Sequence, residues 1–167
     1  WLNSMDTLRR FAEWALPSGL LVGIELDPHV YFVINDTTGM CRALEEVGLP
    51  NVYPNVDVGH LTITREGPET LEKWKHRLLH VHLSETESFA HTNSILGRGC
   101  VDFAAYIRKL QELGIEENCR RVGEACVAGI EMGPESGTAH CQTVKDPDSW
   151  VRESLVHLGK VLPELTL

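Results

Sequence analysis

Four short apolar runs in this 167-residue chain each end on an acid or a histidine: Gly23-Ile24-Glu25, Asn55-Val56-Asp57-Val58-Gly59-His60, His80-Val81-His82-Leu83 and Gly129-Ile130-Glu131. Runs this short between helical patterns read as strands, and strands that alternate with helices form a parallel sheet with right-handed crossovers. Helices are expected over Ser4 to Trp14 with Ser4 as cap, Asp36 to Val47, Pro68 to His76, Asp102 to Leu113 and Pro147 to Leu162. Strands are expected at Leu20 to Leu26, covered on both faces, and at Asn51 to Val58, Leu78 to Leu83 and Val127 to Met132. The strand-end residues at 25, 57, 82 and 131 recur at intervals of 32, 25 and 49, close to one βα unit except for the last. Four such units are half of an eightfold (β/α) barrel, which typically needs about 250 residues.

In a parallel barrel all strand ends converge on one face, so residues far apart in sequence can address one ion. Glu25, Asp57, His82 and a late Glu offer three carboxylates and one imidazole, a donor set suited to Mn²⁺, Mg²⁺ or Co²⁺ rather than to a thiolate-type structural zinc. For the late Glu two candidates stand open. Glu131 sits in the better strand, and Glu124 lies nearer the preceding helix end at Gly114.

Composition narrows the function classes. Fifteen Lys+Arg against 24 Asp+Glu leave a net charge of −9, which disfavours binding to a phosphate backbone. The longest purely apolar runs, such as Leu20-Leu21-Val22, fall far short of the roughly 20 residues that cross a bilayer, so no membrane partner is expected. Five cysteines without a CxxC pair argue against a disulfide framework and a zinc ribbon; they read as small buried hydrophobes of a protein in a reducing cytoplasm. A 43 % hydrophobic content in a chain of this length predicts a single domain over 1–167. Without an initiator Met or signal segment, Trp1-Leu2-Asn3-Ser4 reads as the start of a chain that begins partway through a larger gene product.

Taken in order, the Glu of Gly-Ile-Glu-Leu, Asp57-Val58-Gly59-His60, the His-Val-His-Leu strand, Leu96-Gly97-Arg98-Gly99-Cys100-Val101-Asp102-Phe103 and a late strand Glu resemble the xylose-isomerase-like TIM-barrel family. That family comprises sugar isomerases and epimerases and includes the endonuclease IV type enzymes. The resemblance implies an α/β fold of parallel (β/α) TIM-barrel type, of which this chain carries the last four βα units as a half-barrel or fragment. It further implies that Glu25, Asp57, His82 and the late Glu, Glu131 ahead of Glu124, are ligands of a divalent metal ion (Mn, Mg, Co or Zn), and that Glu25 and this late Glu double as the acid/base pair. His60, His80 and Arg98 would contact substrate; the arginine that the family places soon after the strand histidine is replaced here by Ser84 to Ser88.

The implied activity is isomerisation or epimerisation of a small sugar or hydroxy-keto compound. Removing a proton alpha to a carbonyl creates an enediolate, whose charge a divalent cation holds while one carboxylate takes the proton and the other returns it. The alternatives are a metal-dependent phosphoesterase of endonuclease IV type, for which Ala90-His91-Thr92 lacks the expected Asp-x-His, and a noncatalytic half-barrel module. Open sheet edges would call for a homo-oligomer or a complementing half-barrel segment. His91, in a polar stretch, reads as solvent-exposed; Gly97-Arg98-Gly99 reads as a tight turn.

Overall fold

The computed structural model describes residues 1–87, 90–133 and 146–164. The polar loop expected before the last helix, with Cys141, lies outside the described residues. Helix α1 (Leu2–Ala15) leads through a 3₁₀ turn at Leu16–Ser18 into strand β1 (Val22–Glu25), followed by α2 (Thr37–Val47) and β2 (Val52–Asp57). Helix α3 (Val58–Ile63), a 3₁₀ segment at Pro68–Trp74, β3 (His80–Glu87), β4 (Ala90–Ser94), α4 (Phe103–Glu112), α5 (Ile115–Val122), β5 (Val127–Glu131) and α6 (Pro147–Val161) complete the order.

Strands β1, β2, β3 and β5 lie side by side and parallel, and β4 folds back antiparallel on the far end of β3. This is the wall of a half-barrel. Register divides each strand by parity: Val22, Ile24, Val52, Pro54, Val56, Val81 and Leu83 face the helices, and most of them are buried. The alternate residues, Gly23, Glu25, Asn55, Asp57, His80, His82, Ser84, Gly129 and Glu131, share the opposite, concave face. The expectation that Leu20 to Leu26 is covered on both faces is therefore corrected, since helices cover one side only and Gly23 is exposed.

Local chemistry accounts for most element ends. Asp36, Asp102 and Asp146 each accept a hydrogen bond from the backbone N–H three residues on, as N-cap side chains do. Ser4 does not: α1 starts at Leu2 without a side-chain cap, and its beginning is instead fastened to α2 by Trp1, whose indole N–H donates to Glu46 at 2.6 Å. Two helices were not foreseen. Helix α3 starts directly on Asp57, whose carboxylate caps it, and α5 is a detour between α4 and β5 held by Asn118 Nδ2 donating to the Lys75 carbonyl at 2.7 Å. Cys100 and Cys126 are exposed, against the expectation of buried thiols, whereas Cys119 is buried.

Strand β3 runs past Leu83 because its polar end is fully bonded. Glu85 is wholly buried with no basic partner, and its carboxylate accepts from Thr86 N (3.0 Å), Gly97 N (2.6 Å) and Val101 N (3.2 Å). Gly97 has φ +88° and lies against the His157 ring, so a side chain would be both strained and blocked there. The Gly97-Arg98-Gly99 turn thus wraps a carboxylate of its own chain. Replacing Glu85 by Ala leaves the buried N–H groups of Thr86 and Val101 without acceptors and frees that of the exposed Gly97, and we expect a loss on the order of 2 kcal/mol or more, read from the urea midpoint.

Candidate metal centre

Glu25 ends β1, Asp57 ends β2, Glu131 ends β5 and His82 lies within β3; one ligand atom of each lies within 4.8 Å of those of the other three. The register explains how. Asp57 is level with His82, Glu25 with Asn55 one pleat below, and Glu131 with Ser84 one pleat above, so the stagger of adjacent strands sweeps the four side chains around one point.

His82 is the hub. Its Nδ1 lies 2.8 Å from Glu131 Oε2 and 3.1 Å from Glu25 Oε1. Asp57 Oδ1 accepts from the His60 backbone N–H at 2.9 Å and the Ser84 hydroxyl at 2.5 Å, an approach that a side chain at Gly59 would block. Asp57 Oδ2 is buried and has no hydrogen-bond partner among the described residues. An unpaired carboxylate oxygen in a buried position is costly unless a cation meets it, and here it lies among two more carboxylates and an imidazole. The donor set fits a divalent ion: three hard oxygens and one nitrogen suit Mg²⁺, Mn²⁺ or Co²⁺, and His with carboxylates also suits Zn²⁺.

The charges are already unequal in the protein itself. For Glu25, burial pushes the pKa up but is outweighed by the His82 hydrogen bond and charge, with His60 and Asn55 adding, so it is lowered. His82 is raised, first by its hydrogen bond to Glu25 against the opposing effect of burial, then by the charges of Glu25, Glu131 and Asp57. Glu131 is raised by burial and by the negative charges of Asp57 and Glu25.

These directions set a pH dependence. The raised His82 contributes stability that is complete below its ordinary value of 6.5 and is lost as pH rises through its folded value. The lowered Glu25 contributes above 4.5 and loses that contribution as pH falls through its folded value. Raised Glu131 acts oppositely to Glu25, since ionising it costs stability as pH rises from 4.5 through its folded value. We expect the melting temperature of metal-free protein to fall as pH rises above 6.5, and a His82→Gln variant to lose that slope. A slope unchanged in the variant would remove His82 from this role.

The remaining sequence candidates are placed as follows. Glu131 joins the cluster; Glu124 instead lines a cavity of about 450 Å³ on the concave face, with His80, Gly23 and Asn55. His80 lies one pleat below His82, the rings 5.2 Å apart. His60 is buried, with Nδ1 2.7 Å from the Leu26 carbonyl and 3.8 Å from Glu25 Oε1. Arg98 is not brought to the cluster: it is exposed and paired with Glu153 of α6 at 2.7 Å. His91 corrects the expectation of a solvent-exposed residue, because its Nε2 lies 2.8 Å from His60 Nε2. With His60 Nδ1–H donating to Leu26, the bond between the rings assigns the other proton to His91 Nε2. Its pKa is lowered by burial and by His60.

Two further side chains, absent from the sequence candidates, adjoin the cluster. Asn55 Nδ2 donates to Glu25 Oε2 at 3.1 Å, and Asn93 Nδ2 donates to Glu131 Oε1 at 3.2 Å. Asn55 stands two residues before Asp57, so strand parity was the available sign; Asn93 arrives on the β4 excursion, for which the chain has no local sign.

The family description "Xylose isomerase-like TIM barrel" matches residues 1–151, and the chain belongs to that family. It is 26% identical over 113 residues to an L-ribulose 3-epimerase of Methylomonas sp. (strain DH-1), an alignment covering 66% of this chain and 38% of that protein. Among solved structures it resembles a D-allulose 3-epimerase from Methylomonas sp. (TM-score 0.72, 20% identity, 96% of this chain and 55% of that one). It also resembles the IOLI protein with a bound zinc atom (TM-score 0.72, 18% identity, 98% and 56%). The chain therefore spans about half the length of these structures, in agreement with the half-barrel wall. Among the described residues no helix is long and apolar enough to cross a membrane.

Proposed function

We propose that this chain carries the metal and proton-transfer machinery of a divalent-metal-dependent epimerase acting on a small sugar of the ketose class. The observation that carries the reading is the convergence of Glu25 and Glu131, from the two outer parallel strands, on either side of His82 and Asp57. A cation bound by Glu25, Asp57, His82 and Glu131, manganese being the first to try, supplies positive charge where a carbonyl oxygen becomes negative. Glu25 and Glu131, one on each side of the cluster, form the acid/base pair that takes the proton alpha to the carbonyl and returns one from the opposite side. His80 offers a ring nitrogen to a substrate hydroxyl, and His60, whose two ring nitrogens meet the Leu26 carbonyl and His91, would reach substrate only by giving up one of them. Arg98, held at the surface by Glu153, is left out of this scheme.

The epimerase names of the relatives support the substrate class. Among the described residues strands β1 and β5 have one parallel neighbour each, and we infer that a second copy or a complementing half-barrel segment pairs with them, within a single xylose-isomerase-like domain in the cytoplasm. The test is to incubate the full chain with Mn²⁺ and L-ribulose or D-allulose in deuterium oxide. Deuterium entering at the epimerising carbon supports the reading; Mn²⁺-loaded protein that exchanges no proton into either sugar overturns it.

A further inference from the structure

Each of the two glutamates places one carboxylate oxygen on the same ring nitrogen, His82 Nδ1, and the other on an asparagine amide. Glu25 has Oε1 on His82 and Oε2 on Asn55; Glu131 has Oε2 on His82 and Oε1 on Asn93. The amide nitrogens are set on the carboxylates because the flipped form would set a carbonyl oxygen against a carboxylate oxygen; Asn55 Nδ2 also lies 3.3 Å from both ring nitrogens of His82. We infer that Asn55 and Asn93 are a matched pair of positioning residues, each fixing the rotation of one glutamate so that its inner oxygen faces the cluster. The inference rests on the epimerase reading for its catalytic consequence, but its geometric content, the rotation of the two carboxylates, does not.

Asn93 makes the case testable. Its backbone is left-handed, with φ +45°, and its carbonyl accepts from Gly133 N at 3.2 Å, just past β5. If the left-handed backbone were all that position 93 of β4 had to supply, glycine would serve better, because it takes positive φ without steric penalty. The side-chain amide adds something that backbone does not need: a donor reaching a carboxylate 38 residues away. Asn93→Gly therefore keeps the backbone and its Gly133 bond while deleting only the amide. Asn93→Asp keeps size and tolerance of a left-handed backbone but opposes a carboxylate to a carboxylate.

Full-length wild type and both variants are crystallised without metal, and their Mn²⁺ affinity and proton-exchange kinetics are measured. We expect Asn93→Gly to melt no lower than wild type, with the Glu131 carboxylate rotated off His82. Mn²⁺ affinity should fall about 10- to 100-fold, and kcat should fall with little change in KM. Asn93→Asp should lose at least as much. Wild-type Glu131 orientation and Mn²⁺ affinity in Asn93→Gly would overturn the inference and leave Asn93 only the holder of a left-handed backbone. Should the unmodified chain exchange no sugar proton, the epimerase reading fails on that result alone, and the metal-free crystal structures still decide whether the amide holds Glu131.

Discussion

Under the proposed epimerase function, Glu25→Gln is expected to lower sugar epimerisation by about 10²- to 10⁴-fold, the usual worth of a positioned general base. Glutamine matches glutamate in shape, so the packing at the end of β1 and the contact with Asn55 have the same space to occupy. What disappears is the negative charge that faces His82 and the oxygen that would accept a proton. Turnover measured beside circular dichroism and Mn²⁺ binding separates the two duties of this carboxylate. A variant that binds Mn²⁺ and folds normally but does not turn over assigns the base; unchanged turnover removes Glu25 from the chemistry.

Asp57→Asn is expected to take divalent metal from near one ion per chain to a level not detected by elemental analysis, with the helix it caps left in place. Asparagine caps helices about as well as aspartate, so the His60 backbone N–H that starts α3 keeps an acceptor. The change falls on Oδ2, the buried oxygen without a partner among the described residues, which becomes an NH₂ group or a neutral oxygen facing the cluster. An amide nitrogen aimed at a cation repels it, and a neutral oxygen holds it less well than a charged one. His82→Ala removes the single nitrogen donor and should match this loss. Retention of metal in both variants would show that the ion sits elsewhere.

The metal-ligand candidates were legible before any coordinates because strand parity is local. Glu25, Asp57 and His82 stand at the ends of, or within, apolar runs, and the alternation that points Val56 toward the helices points Asn55 and Asp57 away from them. The helix caps at Asp36 and Asp102 were legible for the same reason, since each cap bond closes within three residues. The choice between Glu131 and Glu124 was not legible. Both follow the α5 detour, and only the pairing of β5 with β3 sends Glu131 to the cluster and leaves Glu124 lining the cavity.

His91, Asn93 and Glu85 were misread or missed because each acts through β4 or the turn beyond it. A polar stretch such as Ser84 to Glu87 looks like a surface loop until Gly97 and Val101, 12 and 16 residues after Glu85, provide the N–H groups that make its burial affordable. Likewise His91 meets His60 over 31 residues and Asn93 meets Glu131 over 38. The sequence by itself determined which residue types end the strands, in what order, and on which side of the sheet they stand, because period-2 alternation and cap bonds are properties of a few consecutive residues. Only the tertiary structure decided that four of those side chains share one point and which asparagines hold them. That outcome depends on the stagger of parallel strands and on a hairpin folding back across their ends, and both are set by packing between segments tens of residues apart.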